Sequence, residues 1–191
     1  MIMQKKTKFI ALLSAALLLT ASTAIAEEDF WDWIGHGTVQ GWRGVGVKPV
    51  DNKQYKEECG SCHFAYQPGL LPEKSWEKLL TAAGLHDHFG EVADLDKETL
   101  QAIREYVLAN SAEKSYYKIA RKITIATEDG PAPLRITEVR YIKRKHNDIP
   151  AKMVKDNKDV KSLSYCNACH TKAEKGIFKE DTVSIPNYPD Y

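Results

Sequence analysis

Apolar residues recur at helical spacing in two stretches of the first half of the chain. After Pro72, a residue favoured at the first position of a helix, four apolar residues share one face: Trp76, Leu79, Leu80 and Ala83. Further along, a stretch with Asp94 or Asp96 as its expected cap has an apolar face of three residues: Leu100, Ile103 and Val107. These patterns predict two amphipathic helices that pack on a common core.

The second half of the chain has fewer periodic signals. The turn-rich segment 128–133 interrupts it, and Thr137 is then expected to cap a short helix that ends before Pro150. Three residues share one face of that helix: Val139, Ile142 and His146. The tail, 185–189, is predicted to be extended at best. The second half is therefore predicted to be small, helical and rich in loops.

The first 26 residues have the pattern of a secretory signal peptide. Three lysines precede an apolar run, 9–19, and the small residues Ala24 and Ala26 precede the expected cleavage point after Ala26. A membrane-spanning helix needs about 20 apolar residues, which is more than this run provides. We therefore predict that residues 1–26 are removed, and that the mature protein is soluble and periplasmic.

Charge divides the mature chain into two halves. Residues 27–110 carry 8 basic and 15 acidic side chains, whereas residues 111–191 carry 16 basic and 11 acidic side chains. The near-neutral total argues against nucleic acid as a partner. The asymmetry predicts two domains, 27–110 and 111–191. It also predicts a charged docking face in the second half. The basic residues of this face cluster in sequence around His146: Arg140, Lys143, Arg144, Lys145, Lys152, Lys155, Lys158 and Lys161.

All four cysteines lie in two copies of one motif, Cys-x-x-Cys-His. The motifs are Cys59 to His63 and Cys166 to His170, and the pattern is that of covalent haem c attachment. The thiols of Cys59, Cys62, Cys166 and Cys169 would form thioethers with haem vinyl groups, and each adjacent histidine would bind iron. Structural disulfides, a redox Cys-x-x-Cys site and a zinc site are the alternatives, but none requires histidine after both pairs. We therefore predict two covalently attached haem c groups.

The surroundings of the first motif predict a fold for the first half. A polar stretch, 51–58, with Asp51 or Asn52 as its cap, is predicted to be a short helix that ends at Cys59. A loop, the two amphipathic helices and the histidine-containing loop between them then follow. This is the order of elements in a class I cytochrome c domain, so the predicted fold class is mainly α, with a second helical haem domain behind it.

The second axial ligands have few candidates. Once the signal peptide is removed, Met153 is the only methionine left, and we interpret it as an apolar gap-filler rather than a ligand. For the first haem, His88 lies where class I domains place their distal ligand, with His86 as the close competitor. His36 lies in a glycine-rich segment and is a minor candidate. For the second haem, His146 is the candidate on an apolar face.

Several segments together resemble the periplasmic dihaem cytochromes c that partner an oxygen-binding monohaem cytochrome, the sphaeroides haem protein. The similar segments are 58–63, 68–72, 75–76, 87–90, 134–138, His146 with 149–150, and 166–170. The resemblance implies a class I domain followed by an unrelated domain, each with one bis-histidine haem, and hence His88 and His146 as the distal ligands. This chain departs from the family in having His86 beside His88 and a lysine-rich stretch after Pro150.

The resemblance also implies a function. The protein would be an electron carrier, not an enzyme, that receives electrons from a membrane cytochrome and passes them to the monohaem partner. A small-molecule substrate is not expected. The alternative is a small haem enzyme of the peroxidase or nitrogen-oxide reductase type, with an open position on one iron. About 80 residues per haem leave little protein to form a substrate pocket.

Overall fold

A computed structural model describes residues 46–191, so the predicted signal peptide and His36 lie outside the described residues. The fold has α-helices connected by loops and short 3₁₀ turns. The α-helices are α1 Lys53–Cys59, α2 Glu73–Leu79, α3 Ala82–His86, α4 Lys97–Ala109, α5 Lys118–Thr127, α6 Arg140–His146, α7 Ala151–Val154 and α8 Cys166–Cys169. Within residues 46–191 there are isolated β-bridges but no strand, which confirms the mainly helical prediction. None of the helices in this range is long and apolar enough to cross a bilayer.

Two of the predicted helix starts are confirmed by their caps. Asn52 accepts a hydrogen bond from the backbone N–H of Tyr55 at the start of α1, at 2.8 Å. Asp96 accepts one from Thr99 at the start of α4, at 2.9 Å. Both contacts are local and satisfy a backbone donor that the first turn of a helix leaves unpaired.

The prediction of a single helix after Pro72 is wrong about where that helix ends. It breaks at Leu80, and Thr81 caps a separate helix, α3, by accepting a hydrogen bond from Gly84 N–H at 2.9 Å. Ala83 is consequently exposed, whereas Leu80 is buried. A threonine side chain can bond to nearby backbone groups in place of the helical ladder, and this local alternative ends α2.

The second half contains more helix than its sequence pattern predicted. The helix α5 was not predicted, although Ala120, Ile123 and Thr127 form a buried face on it. Thr137 does not cap α6, because a 3₁₀ turn, Ile136–Glu138, occupies that position and α6 begins after Val139.

Two clusters of buried side chains stabilise the fold. The larger cluster extends from Val47 to Val139 and includes residues of α1, α2, α4 and α5. The smaller cluster consists of Met153, Val154, Val160 and Ile185. Met153 is buried as an apolar filler, as predicted. The tail, for which the sequence predicted an extended segment at best, packs Ile185 into this cluster. The domain boundary near residue 110 remains a prediction.

The segment 46–50 is fixed to distant parts of the chain. Val47 N–H donates to Gly176 O at 2.9 Å, and Ile119 N–H donates to Gly46 O at 3.0 Å. Gly176 has a φ of 71°, and a side chain on either glycine would overlap the backbone of the opposing segment. Glycine at these two positions therefore allows the close backbone contact.

Candidate haem-binding sites

The first Cys-x-x-Cys-His motif lies at the end of α1. Cys59 is the last helical residue and is partly buried, whereas Cys62 is exposed. His63 follows, and its Nδ1 lies 2.8 Å from Phe64 O. If Nδ1 donates its proton to this carbonyl, Nε2 carries the free lone pair that a metal requires.

The structure pairs His63 with His88. Their ring centres are 6.3 Å apart, and the ring planes are inclined by 19°. His88 lies in a tight turn after α3, in which its N–H donates to Glu91 O at 2.8 Å, and its buried Nδ1 has no hydrogen-bond partner among residues 46–191. His86, the competing candidate, is exposed, and its Nδ1 lies 3.1 Å from Asp94 Oδ2.

The second motif forms the short helix α8, and His170 follows it directly. The ring of His146, at the end of α6, lies 6.1 Å from that of His170, and the planes are inclined by 74°. Here the distal candidate has the hydrogen bond, because His146 Nδ1 lies 2.8 Å from Ile142 O. His170 Nδ1 is buried without a partner in the described part of the chain, and its ring packs edge-on against Phe178 at 5.2 Å.

Both histidine pairs have the spacing that one iron between two imidazoles requires. A metal–imidazole bond is about 2 Å long and the ring centre lies about 1 Å beyond the nitrogen, so the two ring centres are expected roughly 6 Å apart. Each pair lies beside two cysteine thiols, and no group of three or more potential metal ligands converges within residues 46–191. The residues therefore fit two haem c groups better than a zinc site that needs four ligands.

Comparison with known proteins agrees with this arrangement. The model of the dihaem cytochrome c family matches residues 55–178. The chain belongs to the dihaem cytochrome c family. The crystal structure of the dihaem cytochrome c from Shewanella baltica OS155 is 41% identical, with a TM-score of 0.59, and the match covers 72% of this chain and 95% of that one. No curated protein matches significantly.

A structure from Rhodobacter sphaeroides is similarly related. This dihaem cytochrome c is 38% identical to the chain, with a TM-score of 0.59, and the match covers 69% of this chain and 100% of that one. Membership of the family means that the protein carries two covalently attached haem c groups and is a haem electron-transfer protein.

The protonation of the candidate residues in this dihaem cytochrome suits haem attachment. Burial, and then the neighbouring His146, lower the pKa of His170 to about 4, and burial is also the main cause that lowers the pKa of His88. Both imidazoles are therefore neutral at pH 7, which is the form that binds iron. Burial raises the pKa of Cys59 and Cys166 to about 11. Reactive Cys-x-x-Cys redox sites have the opposite shift.

Two adjacent residues in the loop after His63, here called the first haem loop, contact residues on either side of the second motif. The ring of Tyr66 stacks on that of His63, with centres 4.8 Å apart, and its hydroxyl donates to Ser164 O at 2.6 Å. The fully buried Gln67 donates from Nε2 to Ala173 O at 2.6 Å. The sequence analysis did not single out either residue, because each contact joins positions far apart in the chain.

A second connection reaches the first site from the other half of the sequence. The guanidinium carbon of Arg135 lies 3.9 Å from the centre of the Phe89 ring, and that ring packs edge-on against His88 with centres 4.9 Å apart. Both residues lie in segments that carry the resemblance, 87–90 and 134–138, which is the signal that could have identified them.

Proposed function

We propose that this dihaem cytochrome is a periplasmic electron carrier with two bis-histidine haems. In this proposal, haem 1 is attached to Cys59 and Cys62 and is ligated by His63 and His88. Haem 2 has the corresponding set: Cys166, Cys169, His146 and His170. The observation that supports it is the presence of two imidazole pairs, at 6.3 and 6.1 Å, each beside a Cys-x-x-Cys pair.

Haem iron supplies a reversible one-electron change, and the protein controls where and at what potential it occurs. One electron enters from a reduced donor and one leaves to an oxidised acceptor, and no covalent bond forms or breaks. Two imidazoles per iron favour lower potentials than a histidine–methionine pair. The carbonyl of Phe64 and that of Ile142 hold one imidazole of each pair, which fixes its orientation and raises its basicity as a ligand.

Tyr66 supports electron exchange between the two sites. Its ring stacks on a ligand of haem 1, and its hydroxyl is hydrogen bonded two residues before Cys166, a thioether residue of haem 2. Burial is the largest cause that raises the pKa of Tyr66 to about 12. The phenol therefore stays protonated at neutral pH and keeps this hydrogen bond, which joins the two haem segments.

The partner side of the proposal rests on charge. Three basic residues of α6, Lys143, Arg144 and Lys145, are exposed next to His146. A positive face at haem 2 would orient an acidic partner before contact and accelerate association at low salt. We propose the oxygen-binding monohaem cytochrome implied by the resemblance as the acceptor and a membrane cytochrome as the donor.

The spin state of the two irons tests the ligand set. We expect both to be low-spin and six-coordinate in the ferric and ferrous proteins, with no rapid binding of CO. A native high-spin haem that binds CO would refute the carrier and favour the haem enzyme with an open iron position.

A charge reversal tests the docking face. Changing Lys143, Arg144 and Lys145 to Glu should slow electron transfer to the acidic partner and flatten its dependence on ionic strength, with both haem spectra unchanged. A matched triple change of exposed lysines in the first half, Lys56, Lys78 and Lys97 to Glu, is the control. Equal effects of the two triple variants would mean that net charge alone matters and would refute a face at haem 2.

A further inference from the structure

The orientation of His88 depends on packing rather than on a hydrogen bond. His63 and His146 each place Nδ1 within 2.8 Å of a carbonyl, whereas Nδ1 of His88 is buried with no partner among residues 46–191. The neighbouring ring of Phe89 packs edge-on against the imidazole at 4.9 Å. The position of Phe89 therefore determines how the His88 ring can rotate.

Phe89 is itself held in an uncommon position. It has a φ of 61°, in the left-handed region, within the turn closed by the bridge from His88 to Glu91. The residue is 42% exposed, so burial in the core does not fix its ring. The guanidinium of Arg135 lies over the ring face at 3.9 Å, a cation–π contact between the two halves of the sequence.

Arg135 also brings a positive charge close to the first site. Glu138 accepts a hydrogen bond from the Arg135 backbone N–H at 3.4 Å, but no side-chain carboxylate lies within ion-pair distance of the guanidinium in the described part of the chain. The two ring contacts, at 3.9 and 4.9 Å, place this charge within about 9 Å of the His88 ring. A nearby positive charge favours the reduced iron, which has one positive charge fewer.

We propose that Arg135 is a positioning residue for haem 1. Its guanidinium holds Phe89 against His88, and its positive charge raises the reduction potential of that haem. This inference rests on the proposed ligation of haem 1 by His88. It assigns to a residue of the second half of the chain the control of a haem attached to the first half.

Redox titration followed by EPR tests the proposal on the haem-loaded protein. Near-parallel imidazole planes, as at haem 1, separate the iron d orbitals that accept π donation and give a rhombic spectrum. Near-perpendicular planes, as at haem 2, leave those orbitals close in energy and give a strongly anisotropic spectrum. Planes inclined by 19° and 74° therefore allow each potential to be assigned to one haem.

Three variants separate the charge of Arg135 from its packing. Arg135→Gln should shift the reduction equilibrium of haem 1 toward the oxidised form by between about twofold and about tenfold, for one unit charge about 12 Å from an iron bound to His88, with haem 2 unchanged. Arg135→Lys keeps the positive charge and should keep most of the reduction potential of haem 1, but it should alter the rhombic signal because lysine lacks the planar guanidinium that packs on Phe89. Phe89→Leu should alter that signal and leave the charge in place.

The matched control is Arg140→Gln, which removes an exposed arginine five positions later and should leave haem 1 unchanged. The proposal is overturned if Arg135→Gln leaves the potential and the rhombic signal of haem 1 as they are, or if Arg140→Gln has the same effect. Failure of the ligand assignment is seen separately, since His88→Ala would then leave both haems low-spin.

Discussion

Replacing Gln67 with alanine breaks a buried connection between the first haem loop and the segment after the second motif. The side chain is 0% exposed, and its Nε2 donates to Ala173 O at 2.6 Å. The substitution removes this hydrogen bond, which contributes about 0.5–1.5 kcal/mol, whereas Gly176 N–H still donates to the same carbonyl at 2.8 Å. It also creates a cavity that adds about 1 kcal/mol or more. We therefore expect the free energy of unfolding to fall by about 1.5–3 kcal/mol.

Thermal unfolding of the haem-loaded protein, followed by circular dichroism, measures this loss. For a chain of this size the Tm should fall by roughly 3–12 °C. The Oε1 atom of Gln67 is buried without a partner, so Gln67→Met, which keeps most of the volume and removes this oxygen, should lose less. Gln67 lies four residues after His63, and Ala173 N–H donates to His170 O at 2.9 Å, so the Gln67–Ala173 contact joins segments next to a candidate ligand of each haem. The Soret band should therefore show ligand detachment at both haems in the same temperature range.

The control is Gln101→Ala. Gln101 also donates through Nε2, to Glu105 Oε1 at 2.7 Å, but it is exposed on α4, so its loss should change stability by no more than about 0.5 kcal/mol. Equal Tm shifts for Gln67→Ala and Gln101→Ala would refute the reasoning. A shift confined to one Soret transition would also contradict the proposed link between the sites.

Two further predictions concern the ligands and the path between them. His88→Ala should make one haem high-spin and able to bind CO, whereas His86→Ala should leave both low-spin; the reverse result would make His86 the ligand. Tyr66→Phe keeps the ring but removes its hydroxyl, and should slow electron exchange between the haems, as measured by pulse radiolysis; an unchanged rate would exclude the hydrogen-bonded path.

The parts of the fold that the sequence predicts are those set by local contacts. Asn52 and Asp96 were each one of two expected caps, and a local pattern could suggest them because each bonds a backbone N–H three residues away. The break at Thr81 was missed because apolar spacing continues through it, and α5 was missed because alanine and threonine are weak markers of a buried face.

The residues of the candidate site also differ in whether a local sequence pattern can identify them. The two motifs identify the thioether cysteines and one histidine of each pair from their spacing alone. The choice between His86 and His88 depends on where α3 ends. Because the helix ends at His86, the His86 ring faces Asp94 and the His88 ring faces His63. Tyr66 and Ser164 are 98 positions apart, so no local pattern contains their contact.

The backbone contact between Val47 and Gly176 has a consequence for the order in which the protein is assembled. The chain is synthesised from its N-terminus, and this contact joins Val47 to a residue made about 130 positions later. Contacts of such long sequence separation form late, because the intervening loop must close first. The larger core, to which Val47 belongs, should therefore be completed only after residue 176 has been made, so we expect the first Cys-x-x-Cys-His motif to be available for haem attachment before that core is complete.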